Sequence, residues 1–315
     1  MKILEYRNND RIFPDQPIQS ITAEHVMDLP LDDRTPGRTV LEGLAFDHTG
    51  ALYVCVPPQC LIVKLDIDRK IVLGTIELPD HMMPSAVKLH KDGRLFVTAV
   101  VSDHGSQIAV LSPKGKILES IPMPGRHIDD MVFDSKGGFY CSDLSGTLND
   151  PCAGILYVEP DHHTIRMIID HGLIKSNGIA LTPDEKGLWF TEFGAGKLNK
   201  IVFGYDGFAQ QPYKTFTPYY FTGLEGPDSI TVDCDGNVYT AMTGQGRCLV
   251  FNPQGFPIGE IQIPERTQMA MLKSTHITIR PHTREAYMCT CDMTTGRAAI
   301  YRAGAYAEAL NGFAY

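Results

Sequence analysis

Along this chain apolar and polar residues alternate in short runs, each broken within about four to eight residues by Gly, Pro, Asp or Asn. Period-2 alternation predicts strands, and the breaks predict tight turns. One unit recurs six times: a strand, a short polar turn, and a second strand carrying an aromatic. The copies are LEGLAFDHTGALYVCV, PSAVKLHKDGRLFVTA, IDDMVFDSKGGFYCSD, SNGIALTPDEKGLWFTE, PDSITVDCDGNVYTAM and STHITIRPHTREAYMCT. Aligned on the aromatics Tyr53, Phe96, Tyr140, Trp189, Tyr239 and Tyr287, they are spaced by 43, 44, 49, 50 and 48 residues.

Further strand pairs lie between these hairpins, such as CLIVKLDIDRKIVLGTIELP and RCLVFNPQGFPIGEIQIP. Four strands per repeat of about 45 residues, six times over, predict an all-β fold. It is a six-bladed β-propeller with about four antiparallel strands per blade, formed as a single domain over 1–315. A pair of β-sandwiches would not need six evenly spaced copies. The segment from Ser20 to Leu31 is expected to supply a strand that completes the last blade. Helical periodicity is weak, and only the tail around AYAEALNGF could form a short helix.

Composition narrows the partners. Of 315 residues 43% are hydrophobic and 21% charged, with a net charge of -9 and no long basic run, so nucleic acid is not expected as a partner. No apolar stretch approaches a membrane span and the N-terminus lacks an apolar signal core, so a cytoplasmic protein is expected. The eight cysteines form neither a zinc pattern nor a disulfide framework, and read as reduced thiols.

The repeat also aligns one chemical feature. Five residues before the last residue ahead of each hairpin turn stand Glu42, Ser85, Asp129, Asn177, Asp228 and Thr275. Every one carries a side-chain oxygen. In a propeller these positions lie on the innermost strands, in a ring about the central channel. The strands are otherwise apolar, so buried carboxylates there are costly and repel one another. No Lys or Arg occupies an equivalent position. A bound cation removes both costs, and oxygen-only ligands point to a hard ion, with the wide ring favouring Ca²⁺ over Mg²⁺. The alternative is a polar, water-filled channel.

At these residues the chain resembles the senescence-marker/gluconolactonase/luciferin-regenerating family, and most of all its drug-responsive calcium lactonase branch. The resemblance runs from about residue 38 to 300 and is carried by LEGLAFD, IDDMVFDSKGGFY, NGIAL, DEKGLWFTE, PYYFTGLEGPDS, GQGRCLVFN and STH. It implies a propeller with a central Ca²⁺ that hydrolyses lactone esters. Carried over by position, the metal ligands fall on Glu42, Asn177 and Asp228, with Asp129 and Ser229 added in the lactonase branch. Asp228 takes the family's acid/base position. The sugar-lactone branch has an Arg-x-Asn-Asp stretch where this chain reads His127-Ile128-Asp129-Asp130, which argues against a sugar-acid lactone. The lactonase branch also has a second, peripheral calcium site, but the corresponding stretches SDHGSQ and SIPMPGRH match it poorly, and it is not carried over.

The implied activity is calcium-dependent hydrolysis of a small lactone. The metal polarises the carbonyl, Asp228 transfers the proton, and His127 and His276 beside ring positions are further catalytic candidates. Asp130 reads as structural. Competing functions are organophosphate ester hydrolysis at the same metal, and a non-catalytic propeller scaffold with structural calcium. No G-x-S-x-G elbow or dinucleotide fingerprint is present.

Overall fold

The structure is a computed structural model, and it describes residues 17–31, 36–102, 105–204, 212–223 and 225–315. Two residues of the SDHGSQ stretch, 103 and 104, lie outside them. The described chain is an all-β propeller of six antiparallel blades. Four blades are built in plain chain order. Blade I runs Glu42–Phe46, Leu52–Val56, Leu61–Asp66 and Ile71–Glu77. Blade II runs Met83–Leu89, Leu95–Ser102, Gly105–Leu111 and Ile117–Pro124. Blade III runs Ile128–Phe133, Phe139–Asp143, Ala153–Val158 and Ile165–Leu173, and blade IV Ser176–Leu181, Gly187–Glu192, Lys197–Phe203 and Pro212–Tyr220.

The N-terminal segment completes the ring, and it does more than expected. Blade VI is Lys273–Ile279, Glu285–Cys291 and Ala298–Gly304, with Glu24–Asp28 as its antiparallel outer strand. Just before it, Gln19–Thr22 adds a fifth, parallel strand to blade V, whose own strands are Pro227–Val232, Val238–Met242, Arg247–Phe251 and Pro257–Gln262. One short segment thus stitches two neighbouring blades together, and a parallel partner leaves no hairpin signal in the sequence.

The repeated aromatics explain what holds the blades. All six are at most 3% exposed, and each packs into the core shared with the following blade. Tyr53 joins the cluster between blades I and II, Phe96 that between II and III, and so on round to Tyr287, which lies between VI and I. Six interblade cores therefore need one large side chain per repeat, and this sets the period seen in the sequence. Met131 and Met242 fill two of these cores.

The turns that end the inner strands are fixed by their own side chains. Asp47 Oδ1 accepts from the backbone N–H of Thr49 at 2.9 Å and Ala51 at 3.0 Å, and Asp134 and Asp233 repeat the arrangement. The C-terminal tail is not helical. Its N–H groups are spent on the turns it crosses: Ala305 donates to the Arg284 carbonyl at 2.7 Å, Ala309 to that of Thr283 at 2.9 Å, and Tyr306 to the Tyr239 hydroxyl at 2.7 Å. These tertiary bonds outweigh a weak helical propensity.

Candidate functional site

The six ring positions share a backbone defect that alternation alone does not foresee. In every blade the pairing of the first and second strands slips where the ring residue stands. The slips lie between Glu42 and Leu44, Pro84 and Ala86, Ile128 and Met131, Ser176 and Ile179, Pro227 and Ile230, and Ser274 and His276. A β-bulge re-aims a side chain, and here six of them recur at the same level of the channel. Neighbouring inner strands approach closely there. A Cβ on Gly178 would stand 2.5 Å from the Ile230 nitrogen, and one on Gly43, at φ +44°, 2.7 Å from the Ala86 Cα. Both glycines directly follow a ring residue.

Hydroxyls from second strands pin the bulged backbone. Thr98 donates to the Asp129 carbonyl at 2.7 Å, Thr191 to the Asp228 carbonyl at 2.8 Å, and Ser142 to the Asn177 carbonyl. Each bond crosses from one blade to the next. These residues went unnoticed in the sequence, yet they carry a signal. Two residues beyond the repeated aromatic stand Cys55, Thr98, Ser142, Thr191, Ala241 and Cys289, all small and mostly hydrogen-bonding. All eight cysteines are free thiols, and burial pushes the Cys55 and Cys289 thiols well up, so these two stay protonated.

The electrostatics of the ring are strained. Burial holds the Glu42 and Asp129 carboxyls well above the usual range, and the charge of Asp228 pushes both further. Asp228, 5% exposed, is pushed up to about 6 by burial, against the pull of its hydrogen bonds and of Lys273. Its Oδ1 accepts the Ser229 N–H at 3.0 Å and its Oδ2 the Thr243 hydroxyl at 2.6 Å. The Asn177 amide donates to Asp228 as well, and leaves Asn177 Oδ1 buried with no hydrogen-bond partner. The positive charge missing from the ring positions comes from nearby. Lys88 Nζ lies 2.9 Å from Asp130 Oδ1 and acts on Asp129, while Lys273 acts on Glu42 and Asp228. Asp130 is fully buried in that ion pair and accepts the Met131 N–H at 2.8 Å, in keeping with a structural part.

These residues fit a hard cation. Three carboxyls raised by burial, two of them also by the charge of Asp228, gain from any positive ion, and an orphaned amide oxygen supplies a neutral ligand beside them. Among the described residues no three His, Cys, Asp or Glu side chains gather tightly enough to hold an ion by themselves. The acids stand around the ring, so a bound ion has to draw on Asn177 Oδ1 and further oxygens, a coordination style suited to Ca²⁺.

The remaining candidates sit at different heights. Ser229, 2% exposed, follows Asp228 and orients it through its N–H. His127 is half-buried just before the blade III inner strand, its N–H donating to Asp143 Oδ1 at 3.0 Å. His276 is 1% exposed and lines a cavity beneath the ring, its Nδ1 without a partner. Burial and the charge of Lys88 hold its pKa well below the ordinary value, so the imidazole is neutral.

Known proteins share this architecture. The profile of the SMP-30/Gluconolactonase/LRE-like region matches residues 125–276. Lactonase drp35 of Staphylococcus haemolyticus (strain JCSC1435) is 41% identical over 305 residues, covering 94% of this chain and 91% of that protein. Among solved structures, the calcium-binding protein regucalcin from Agrobacterium tumefaciens superposes with a TM-score of 0.70 at 15% identity, covering 93% of this chain and 99% of that one. A gluconolactonase from Xanthomonas campestris gives a TM-score of 0.65 at 16% identity over 86% of this chain and 88% of that one. At such identities the two structures speak to the fold, and the lactonase relative carries the kinship: the chain belongs to the SMP-30/gluconolactonase/LRE-like family.

Proposed function

We propose that this protein is a metal-dependent lactonase that opens a small lactone at the upper mouth of the propeller channel. The observation that carries this reading is the ring itself, where Glu42 and Asp129 both feel the charge of Asp228, and the Asn177 oxygen is buried and unpartnered. The named activity of a relative 41% identical along nearly the whole chain supports the reaction class. Glu42, Asp129, Asn177, Asp228 and Ser229 would hold a calcium ion. A calcium ion there would supply Lewis-acid polarisation of the ester carbonyl and charge stabilisation of the oxyanion.

The chain's own groups do the proton chemistry. Asp228 accepts a proton from the attacking water as its oxygen bonds to the carbonyl carbon. It returns that proton to the ring oxygen as the C–O bond breaks, leaving a hydroxy acid. Thr243, the Ser229 N–H and the Asn177 amide together fix the carboxylate plane. His127, at the rim, takes the part of a substrate-facing hydrogen-bonding group in place of an arginine. His276 opens downward and is given no step in the reaction.

The test is hydrolysis of aliphatic and aromatic lactones, with a phosphotriester alongside, before and after chelation by EGTA. Lactone opening that disappears with EGTA and returns with calcium supports the proposal. Full activity of a metal-free sample, or a kcat/KM favouring the phosphotriester, overturns it. A protein with neither activity but bound calcium would be the scaffold instead. Asp228→Ala should lower kcat at least 100-fold while the far-UV spectrum stays unchanged.

A further inference from the structure

The channel holds a second compartment that the proposed reaction does not use. Beneath the ring lies a cavity of about 530 Å³, inside the roughly 300–1,000 Å³ range of small-molecule sites. Its wall is the lower half of the inner strands, with Leu44, Ile179, Ile230 and Ile277 among the lining residues. None of Glu42, Asp129, Asn177 or Asp228 lines it, so it is a separate space.

The C-terminal tail lies across the lower mouth and contributes Leu310, Phe313 and Tyr315 to the lining. It is anchored from several sides. Ala309 pairs with Asp233, the Cys234 N–H donates to the Glu308 carbonyl at 2.9 Å, and the Tyr315 hydroxyl donates to the Phe46 carbonyl. Phe313 packs 5.3 Å from the Phe133 ring and 4.8 Å from that of His90.

The polar groups facing this space select the ligand's chemistry. Lys88 is committed to Asp130 at 2.9 Å, so that pair presents no net charge. His276 is the buried side chain left unsatisfied there, with Nδ1 partnerless and the ring 1% exposed. Lys91 also lines the space, but it is exposed at the mouth, its Nζ 4.9 Å over the Phe313 ring. At the buried end a charged head would find no free counter-ion, whereas a hydroxyl or carbonyl would complete the imidazole's hydrogen bonding. Water could cap that nitrogen, but it gains nothing from the aliphatic side chains of Leu44, Ile179, Ile230 and Ile277, which an apolar body would cover.

We propose that the lower chamber binds a small uncharged amphiphile, its hydroxyl or carbonyl head hydrogen-bonded to His276 Nδ1, its apolar body against the inner-strand wall, and the C-terminal tail as its lid. The proposal does not depend on lactonase activity, so it is tested on EGTA-treated protein. Heptan-1-ol, heptanoate and heptylammonium are titrated at pH 7.5 by calorimetry and by saturation-transfer NMR. Heptan-1-ol should bind one molecule per chain, at least 10-fold more tightly than either ion.

His276→Phe, which keeps the ring and removes the nitrogen, should weaken the alcohol about 10-fold. If that variant fails to fold, Thr278→Phe serves instead. Thr278 also lines the cavity, and a phenyl there fills the body site, abolishing alcohol binding while lactone turnover is unchanged. Absence of alcohol binding to the wild-type chain, equal or tighter binding of an ion, or alcohol binding untouched by Thr278→Phe overturns the proposal.

Discussion

Asp228 makes a sharp thermodynamic statement about the protein without its ion. Burial lifts its carboxyl to about 6 from an ordinary value of 3.8. A carboxyl raised on folding binds its proton more tightly in the native state. Its contribution is therefore present at acid pH and is lost as pH rises through the folded value. A shift of this size corresponds to about 3 kcal/mol in all, of which about 2 kcal/mol falls between pH 4.5 and 7.5. The sign is opposite to that of Asp28, Asp47 and Asp92, whose carboxyls are held low by ion pairs and hydrogen bonds and which stabilise the fold as pH rises. Bulk pH dependence therefore mixes both, and a difference measurement is needed. Melting temperatures of EGTA-treated wild type and Asp228→Asn are compared by calorimetry at pH 4.5 and 7.5. On going to pH 7.5, wild type should lose about 3 °C relative to the variant. Glu42 and Asp129 are raised for the same reason and act in the same direction. Calcium at pH 7.5 should recover the loss in wild type far more than in the variant. Parallel pH slopes for the two proteins would refute the claim that this carboxylate is buried at an electrostatic cost.

Other consequences follow from the same geometry. Asn177→Ala removes the orphaned oxygen and should weaken calcium binding about 10-fold by calorimetry; unchanged affinity would remove Asn177 from the ligand set. Thr243→Val deletes the 2.6 Å bond to Asp228 Oδ2 and should lower kcat 10- to 100-fold with KM little changed, while Thr243→Ser restores most of it. Gly178→Ala drives a Cβ into the Ile230 backbone and should cost at least about 2 kcal/mol in urea unfolding; a neutral result would mean that the inner strands are free to move apart.

Much of this was legible because repetition amplifies weak signals. A single alternating strand says little, but six aligned copies expose both the interblade aromatic and the ring oxygen. The blade count, the closure by the N-terminal segment and the six ring positions follow from that alignment. Three features did not show. The bulges are invisible because strict alternation is the only rule a single strand offers, and a bulge breaks it without a marker residue beyond Gly43 and Gly178. The parallel strand Gln19–Thr22 is set by where the chain passes, not by its own pattern. Lys88 was overlooked because it stands three residues after Ser85 rather than at a ring position, yet its long side chain reaches Asp130 on the neighbouring blade.

The bulges also reconcile two demands that conflict in a regular sheet. An inner strand buried against its neighbours wants apolar side chains, and IDDMVF and PDSITV are apolar after their first turn of polarity. A cation site wants several oxygens at one height, aimed at the axis. Slipping the register once per blade lets one residue turn inward, while the rest of the strand keeps its pairing and its core contacts. The cost is a local loss of ladder bonds, which Thr98, Ser142 and Thr191 offset by holding the freed carbonyls across the blade boundary. Because those bonds join adjacent blades, the same hydroxyls that shape the site also tie the ring together. Thr191→Val should therefore disturb both at once, lowering the melting temperature and loosening the grip on Asp228, whereas a surface change in the same blade would touch neither.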